Sequence, residues 1–424
     1  TPGTPAAAAT VLDGYPLAQQ GKGMKAMKMA LYSSVFGDTF SDIMLIFAAG
    51  FLASIALNFG PPEYTLLTGF SLICISSLTG NSVWKGLLSV FLGMIIGMIG
   101  LDPITATPRL TFDYLELEEG IGLIPMLIGT LAVSEALRQM EQPIKKLASS
   151  TLSFSKNKID NIVTWAEFKS TLPTIVKSSG LGTLIGAMPG LGSTIAAFLA
   201  YGEAKRSSKF PEKFGKGSLE GVAASEAANN AVSGSNMIPL LAFGIPGDIA
   251  AALIMGAFLI QGITLGPVVF QDNPVEIYAI FAALIVANLL NLVLGHGLIK
   301  MCKHVVTVPK RLLFPAVLVV ASAGAYALRG SLFDIQLVFC FGILGYLMMK
   351  CDIPTVPMLI GFILIPIFEE NLRITILLGS SHDLNIGFIF TRPAFLTLLI
   401  IMMVASFIVV KRRKLQNLEK INHK

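Results

Sequence analysis

The chain has 424 residues, of which 54% are hydrophobic and 13% charged, and its mean hydropathy is +0.72. Soluble domains carry about 25% charged residues, so this composition excludes a soluble globular protein and points to an all-α polytopic membrane protein of about ten transmembrane helices at about 20 apolar residues each. The net charge of +5 is too small for a nucleic-acid footprint, and Cys74, Cys302, Cys340 and Cys351 have neither metal-site nor redox spacing.

Thr1 opens the chain with no Met, charged n-region or apolar h-region, so the chain is expected to begin inside a longer protein. Apolar runs of spanning length then follow near 30–58, 64–82, 84–101, 120–138, 236–266 (interrupted), 275–299, 312–328, 332–349, 354–370 and 393–410. Basic clusters punctuate them at Lys22/Lys25/Lys28, Lys145/Lys146/Lys156/Lys158, Lys205/Arg206/Lys209/Lys213/Lys216, Lys300/Lys303/Lys310/Arg311 and Lys411/Arg412/Arg413/Lys414. The 102–119 loop is instead acidic, with Arg109 its only basic residue. Positive-inside logic places the five basic clusters in the cytoplasm and this loop outside. Four crossings then separate Lys28 from the basic 138–172 loop, and six separate the 203–217 segment from a cytoplasmic C-terminus.

Segment 173–201 has cytoplasmic charge on both sides, so a single span is ruled out. Two spans would have only about 13 residues each, too short for a bilayer. A re-entrant hairpin turning at Pro189-Gly190 is the remaining reading. A repeat is also visible: Pro2-Gly3-Thr4-Pro5-Ala6-Ala7-Ala8 resembles Pro246-Gly247-Asp248-Ile249-Ala250-Ala251-Ala252, and each copy runs on to Gln-Gly, at 20–21 and 261–262. One copy leads to a basic cytoplasmic stretch and the other emerges outside, as inverted-topology repeats do. The expected division is a first repeat over 1–172, a second repeat with the C-terminal helices over 173–410, and a basic tail over 411–424.

The chemistry is expected where helices break, because bare backbone in hydrocarbon persists only where protein or a water-filled cavity shields it. At the hairpin tip Pro189 lacks an N–H, Gly190 and Gly192 free the backbone, and Ser193 and Thr194 begin the next helix with N–H groups that attract a carboxylate. The alternative is a packing turn between two close helices. No Lys follows Gly192, so a nucleotide P-loop is excluded. Farther on, Glu226, Asn229/Asn230, Ser233 and Asn236 recur with helical period opposite an alanine face. Such a stripe either lines a pathway or joins neighbouring helices by hydrogen bonds. Pro246-Gly247-Asp248 repeats the break, with Asp248 as an N-cap or a cation ligand.

Pro189, Gly190, Gly192, Ser193, Thr194, Asn229, Asn230, Ser233, Pro246, Gly247, Pro2 and Gly3 are therefore the candidate substrate-binding residues, and Asp248, Glu226 and Asn236 the candidate cation ligands. Asp38 and Asp42 are intramembrane carboxylates, functional by default or else near the cytoplasmic end of their span. His296 and His304 form no metal spacing. No hydrolase or protease motif supports an intramembrane enzyme built on Ser225, Glu226 or Asp248.

Thr1–Ala18 with Gln20-Gly-Lys, Pro189–Lys209, Glu220–Ala231, Ile238-Pro-Leu-Leu with Gly244-Ile-Pro-Gly247, Glu370-Asn-Leu-Arg373 and Thr391-Arg-Pro393 resemble the large membrane subunit of the tripartite tricarboxylate transporters, the TctA family. That resemblance covers essentially the whole chain. It implies a cation-coupled importer of small organic carboxylates in the bacterial inner membrane, multi-pass in the lipid bilayer and driven by Na+ or H+ with no organic cofactor. It also implies a small membrane subunit and a periplasmic substrate-binding protein as partners. A channel-like or structural membrane subunit is the competing class. Family members start before this chain's Thr1, so the partner of the 186–194 hairpin is expected there. They often carry Ser where this chain has Asp248.

Overall fold

The structure, a computed structural model, describes residues 6–78, 82–102, 104–141, 157–188, 192–305, 310–381, 386–400 and 402–403. Pro2, Gly3, Pro189, Gly190 and the 411–424 tail lie outside the described residues, as do Lys145, Lys146 and Lys156. The described chain is an all-α polytopic membrane protein whose two-residue strands Gly100–Leu101 (β1) and Pro108–Arg109 (β2) form a small antiparallel hairpin. It divides into two compact units, Thr1–Ser54 with Ile124–Leu347, and Ile55–Leu123 with Met348–Lys424.

The first unit opens with α1 (Ala7–Gln19) and α2 (Gly23–Ala56), the latter reaching two residues into the second unit. α2 has 34 residues, about 51 Å at 1.5 Å per residue, more than a bilayer core requires. The 120–138 run forms one helix in three parts, Leu123–Leu127 (α6), a π-helical turn Ile128–Val133 and Ser134–Met140 (α7). α8 (Trp165–Gly186) and α9 (Gly192–Ser207) are the two arms of the 173–201 segment. α8 starts eight residues before the expected hairpin because Thr164 and Glu167 form a reciprocal capping box that satisfies the helix's first N–H groups. Residues 165–172 are therefore helix and not loop.

α10 (Leu219–Phe243) is capped by Ser218 and ends at Gly244, whose φ of +69° gives the left-handed turn. α11 (Ile249–Ile260), α12 (Val269–Asp272), α13 (Pro274–Val305), α14 (Lys310–Arg329) and α15 (Leu332–Lys350) complete the unit. The bundle is organised around α10, which is buried on nearly every side. It touches α8 along glycines: a β-carbon on Gly182 would strike the Ala228 carbonyl, and one on Gly186 would strike Ser235 and Val232. Gly182 and Gly186 are spaced i, i+4, the small-residue pattern that lets membrane helices approach closely. On the α2 side Gly37 plays the same part against Ala227.

The second unit packs α3 (Pro61–Leu78), α4 (Val83–Gly97) and α16 (Val356–Ser381), with the hairpin and α5 (Leu115–Glu118) between α4 and the next span. Gly93 and Gly97 of α4 and Gly361 of α16 bring these two helices into backbone contact. Arg373 and Arg392, from the motifs quoted above, have structural partners here. Arg392 Nε donates to Glu63 Oε1 at 2.6 Å, where Glu63 is fully buried. Arg373 donates to both oxygens of Asp102 at 3.1 and 2.9 Å and pairs with Glu369 at 2.7 Å.

The two Gln-Gly sequences end their helices identically. Gly21 and Gly262 have φ of +79° and +75°. The following N–H groups, of Lys22 and Ile263, bond back to Leu17 and Phe258 at 2.8 and 2.9 Å.

Candidate functional site: a polar face and two broken helices on α10

The polar stripe of α10 faces α1 and α2. Glu226 accepts from Thr10 Oγ1 at 2.6 Å and from Ser34 Oγ at 3.0 Å. Asn230 Nδ2 donates to Ser34 Oγ at 2.8 Å and lies 3.4 Å from Glu226 Oε2. One turn on, Ser233 donates to Asp38, and Asn288 of α13 donates to Asp42 Oδ2 at 2.7 Å. Asp38 and Asp42 lie near the middle of α2 and not at either end. Both line a cavity of about 620 Å3, together with Ser233, Asn288 and the apolar Phe258 and Leu284. The described hydrogen bonds to these carboxylates come from hydroxyl and amide groups.

The expected helix breaks converge at the far end of α10. α8 and α10 run parallel, since Gly182 lies on Ala228 and Gly186 on Val232. α9 runs antiparallel to α10: Ala204 packs with Ala224, and Ala200 and Ala196 cluster with Ala228 and Val232. This direction carries the first turn of α9, with half-buried Ser193 and Thr194, toward Ser235 and Asn236. Gly192 starts that turn at φ +65° with open space where a side chain would stand. The break before α11 reaches the same place. A β-carbon on Gly247 would lie 2.6 Å from Asn236 Oδ1 and 3.4 Å from the Gly186 carbonyl oxygen. Asp248 caps α11 by accepting from Ala251 N at 2.9 Å, and Asn236 donates to the same carboxylate.

The candidate residues thus form two groups. Asn236, Gly247, Asp248 and buried Pro246 gather at the C-terminal end of α8, toward which the first turn of α9 is directed. Glu226 and Asn230 belong to the α1–α2 face, with Ser233 between. Glu226 is ten residues before Asn236 on the same helix, about 15 Å away, so the two do not share one ion. Asn229 is half-buried, and its side chain makes no hydrogen bond among the described residues. His296 is held from both sides, by Tyr32 Oη at 2.9 Å and the Leu292 carbonyl at 2.8 Å.

Asp13 is a structural centre that the sequence reading passed over. Its Oδ1 accepts from the N–H groups of Gly215, Gly217 and Ser218 at 2.8, 2.9 and 2.8 Å, and its Oδ2 from Tyr201 at 2.9 Å. It fastens α1 to the turn between α9 and α10. The only local signal was an acid inside an otherwise apolar helix flanked by Gly and Pro.

The family described as "Tripartite tricarboxylate transporter TctA family" matches residues 1–360. An Agrobacterium vitis protein named "Uncharacterized 52.8 kDa protein in TAR-I ttuC' 3'region" is 37% identical over 373 residues, covering 88% of this chain and 73% of that relative. A second Agrobacterium vitis protein, named for the TAR-II ttuC' 3'region, is 43% identical over 192 residues, 45% of this chain and 79% of its own length. No solved structure matches. With the match running through α10 and both helix breaks, this chain belongs to the tripartite tricarboxylate transporter TctA family.

Proposed function

We propose that this chain is the large membrane subunit of a cation-coupled importer of tricarboxylates or related small organic acids, working with a small membrane subunit and a periplasmic binding protein in the bacterial inner membrane. The observation that carries this reading is the meeting of three helix ends on α10: the C-terminus of α8, the N-terminus of α9 and the N-terminus of α11. Broken helices with paired ends are the usual form of a transporter's binding site. The free N–H groups and hydroxyls of Ser193 and Thr194 offer a place for a carboxylate. The carbonyl end of α8 has the opposite polarity and suits a cation. Pro189 and Gly190, which lie between the α8 and α9 arms in sequence, are further candidates for the carboxylate position, and Asn229 and Asn230 extend the polar face. Pro2 and Gly3 are candidates through their sequence likeness to Pro246 and Gly247.

The basic clusters support a cytoplasmic C-terminus and a hairpin entered from the cytoplasm. The reading is of transport and not of catalysis, and it is supported by the bond of Ser225 back to the Gly221 carbonyl and by the hydroxyls of Thr10 and Ser34 that Glu226 accepts from.

The test is uptake of a labelled tricarboxylate by proteoliposomes holding this chain, its small membrane subunit and a loaded binding protein. Gradient-dependent accumulation that falls in Asn230→Ala supports the reading. Equilibration without accumulation would favour a channel-like subunit, and an unchanged rate and affinity in Asn230→Ala would remove that residue from the pathway.

A further inference from the structure

The cavity of about 620 Å3 between α2, α10, α11 and α13 has two unlike walls. One carries Asp38 and Asp42, a turn apart on α2, with Ser233 and Asn288. The other is apolar, formed by Ile254 and Phe258 of α11 and Ile280 and Leu284 of α13. Asp42 is 3% exposed, and its Oδ2 accepts from Asn288 Nδ2 at 2.7 Å. Its Oδ1 has no hydrogen-bond partner among the described residues. That oxygen lies on the bare face of Gly234, another lining residue, where a β-carbon would strike it. Asn288 is 8% exposed, and with Nδ2 committed to Asp42 its Oδ1 is a second acceptor without a partner among the described residues. Asp38 accepts from Ser233, and the charged side chains that act on it, Asp42 and Glu226, are both acidic. The polar wall is therefore rich in acceptors and short of donors and positive charge.

We infer that this cavity binds a small organic ammonium ion with an apolar body, its N–H groups on Asp38, Asp42 Oδ1 and Asn288 Oδ1 and its body against the α11–α13 wall. An ammonium group brings three donors and one positive charge, which the polar wall lacks. An inorganic ion would leave the apolar wall uncovered, and the volume is within the range of about 300–1,000 Å3 that small-molecule sites have. A lipid headgroup is at the wrong depth. Asp42 stands 19 residues from Gly23 and 14 from Ala56, about 28 and about 21 Å at 1.5 Å per residue, whereas headgroups stay at the bilayer surface.

This site is separate from the proposed carboxylate position. Ser233 and Ser235 are two residues apart on α10, about 200° around the helix. Ser235 faces Gly186 of α8, and Ser233 faces the cavity. An organic acid would also be repelled by Asp38 and Asp42. Ile254 and Phe258 belong to the helix that Asp248 caps, so an occupant holds α11 against α2 and α13. On the transport reading such an occupant is an inhibitor; the existence of the site does not rest on that reading.

The test uses the purified full chain in detergent, without carboxylate substrate. The probe is phenethylammonium. Phenethyl alcohol and phenylpropionate keep its body and change its head, while methylammonium and NaCl keep the charge without the body. Wild type is expected to show a saturable rise of several degrees in the unfolding midpoint with phenethylammonium alone. Asp38→Asn and Asp42→Asn are each expected to weaken binding about tenfold or more, by loss of a charge-assisted hydrogen bond. Ala257→Phe keeps every polar group and fills the cavity from α11, so it is expected to abolish the rise. Calorimetric titration of wild type keeps the test decisive if a variant fails to fold. An equal rise with phenethyl alcohol reports apolar partitioning and overturns the site, and an equal rise with methylammonium or NaCl overturns the organic assignment. A rise that persists in Asp42→Asn and Ala257→Phe places the ligand elsewhere. Stabilisation by phosphatidylethanolamine and not by phenethylammonium gives the cavity to a lipid and overturns the small-ligand assignment. Carboxylate uptake is a separate measurement: uptake unchanged by phenethylammonium, with binding intact, removes the inhibitory role and leaves the site standing.

Discussion

Asp13 and Tyr201, 188 positions apart in sequence, are joined by a 2.9 Å hydrogen bond. The same carboxylate gathers the N–H groups of Gly215, Gly217 and Ser218. Gly215 and Gly217 have φ of +81° and +108°, so the turn reaches its shape through residues that tolerate it and is held there by one acid. A β-carbon on Gly221 would strike Asp13 and Tyr201, which places α10 directly against this clamp.

Replacing Asp13 with Ala strands three N–H groups. Ser218 is buried, Gly217 half-buried and Gly215 exposed, so with unsatisfied buried donors costing about 1–3 kcal/mol each an overall loss on the order of 3 kcal/mol is expected. Tyr201→Phe, which removes one charge-assisted bond, is expected to cost about 1.5 kcal/mol. Thermal unfolding in detergent reads both. Equal effects of the two substitutions would show that the N–H contacts contribute nothing.

The α8–α10 contact depends on absent side chains. Gly182→Leu would drive a side chain into the Ala228 carbonyl and is expected to destabilise the fold by about 1–3 kcal/mol. Gly180, two residues earlier on the same helix, has nothing within 4 Å of where a β-carbon would stand. Gly180→Ala is therefore expected to be neutral or to stabilise by up to about 1 kcal/mol through helix propensity. Denaturation of the pair side by side checks this, and similar losses at both positions would refute the close-contact argument.

Glu226 gives its two oxygens to different hydroxyl donors, on α1 and α2. A Gln at this position has one acceptor and presents an NH2 to the other hydroxyl. Glu226→Gln is expected to lower carboxylate uptake at least about tenfold, the equivalent of 1.4 kcal/mol, with folding retained. Thr10→Val, which removes one donor, is expected to have a smaller effect. Uptake at the wild-type rate in Glu226→Gln would assign this face to helix packing alone.

The Asp102 carboxyl is held well below the usual carboxylate range, first by the N–H groups of Thr105 and Ile104 and then by Arg373. Because its folded value is depressed, its contribution to stability is complete above about pH 4, the ordinary carboxylate value. That contribution is lost as pH falls toward the folded value. Asp102→Asn is expected to unfold at a lower temperature than wild type at pH 5, with the two midpoints converging as the solution is acidified. Melting curves from about pH 5 to about pH 2 test this, and a constant offset across the series would count against it.

Much of this architecture was legible in the chain itself. Apolar length marked the spans, and the Gly-Pro punctuation at 186–194 and 244–248 marked the breaks, because hydrocarbon leaves few other uses for such residues. The period of the 226–236 segment gave one polar helical face. The capping box at Thr164 and Glu167 was equally local, yet charge counting hid it and α8 was expected to start later.

What the sequence could not decide was which polar residue meets which. Glu226 and Asn236 share one stripe, but α1 and α2 take the first while the ends of α8 and α11 take the second. Likewise Asp13 is one acid in an apolar helix until the fold brings it a turn some 200 residues away. Periodicity sets the face a residue occupies on its own helix. The partner across that face is set by close packing of helices distant in sequence, where a glycine at 37, 182 or 186 allows the approach.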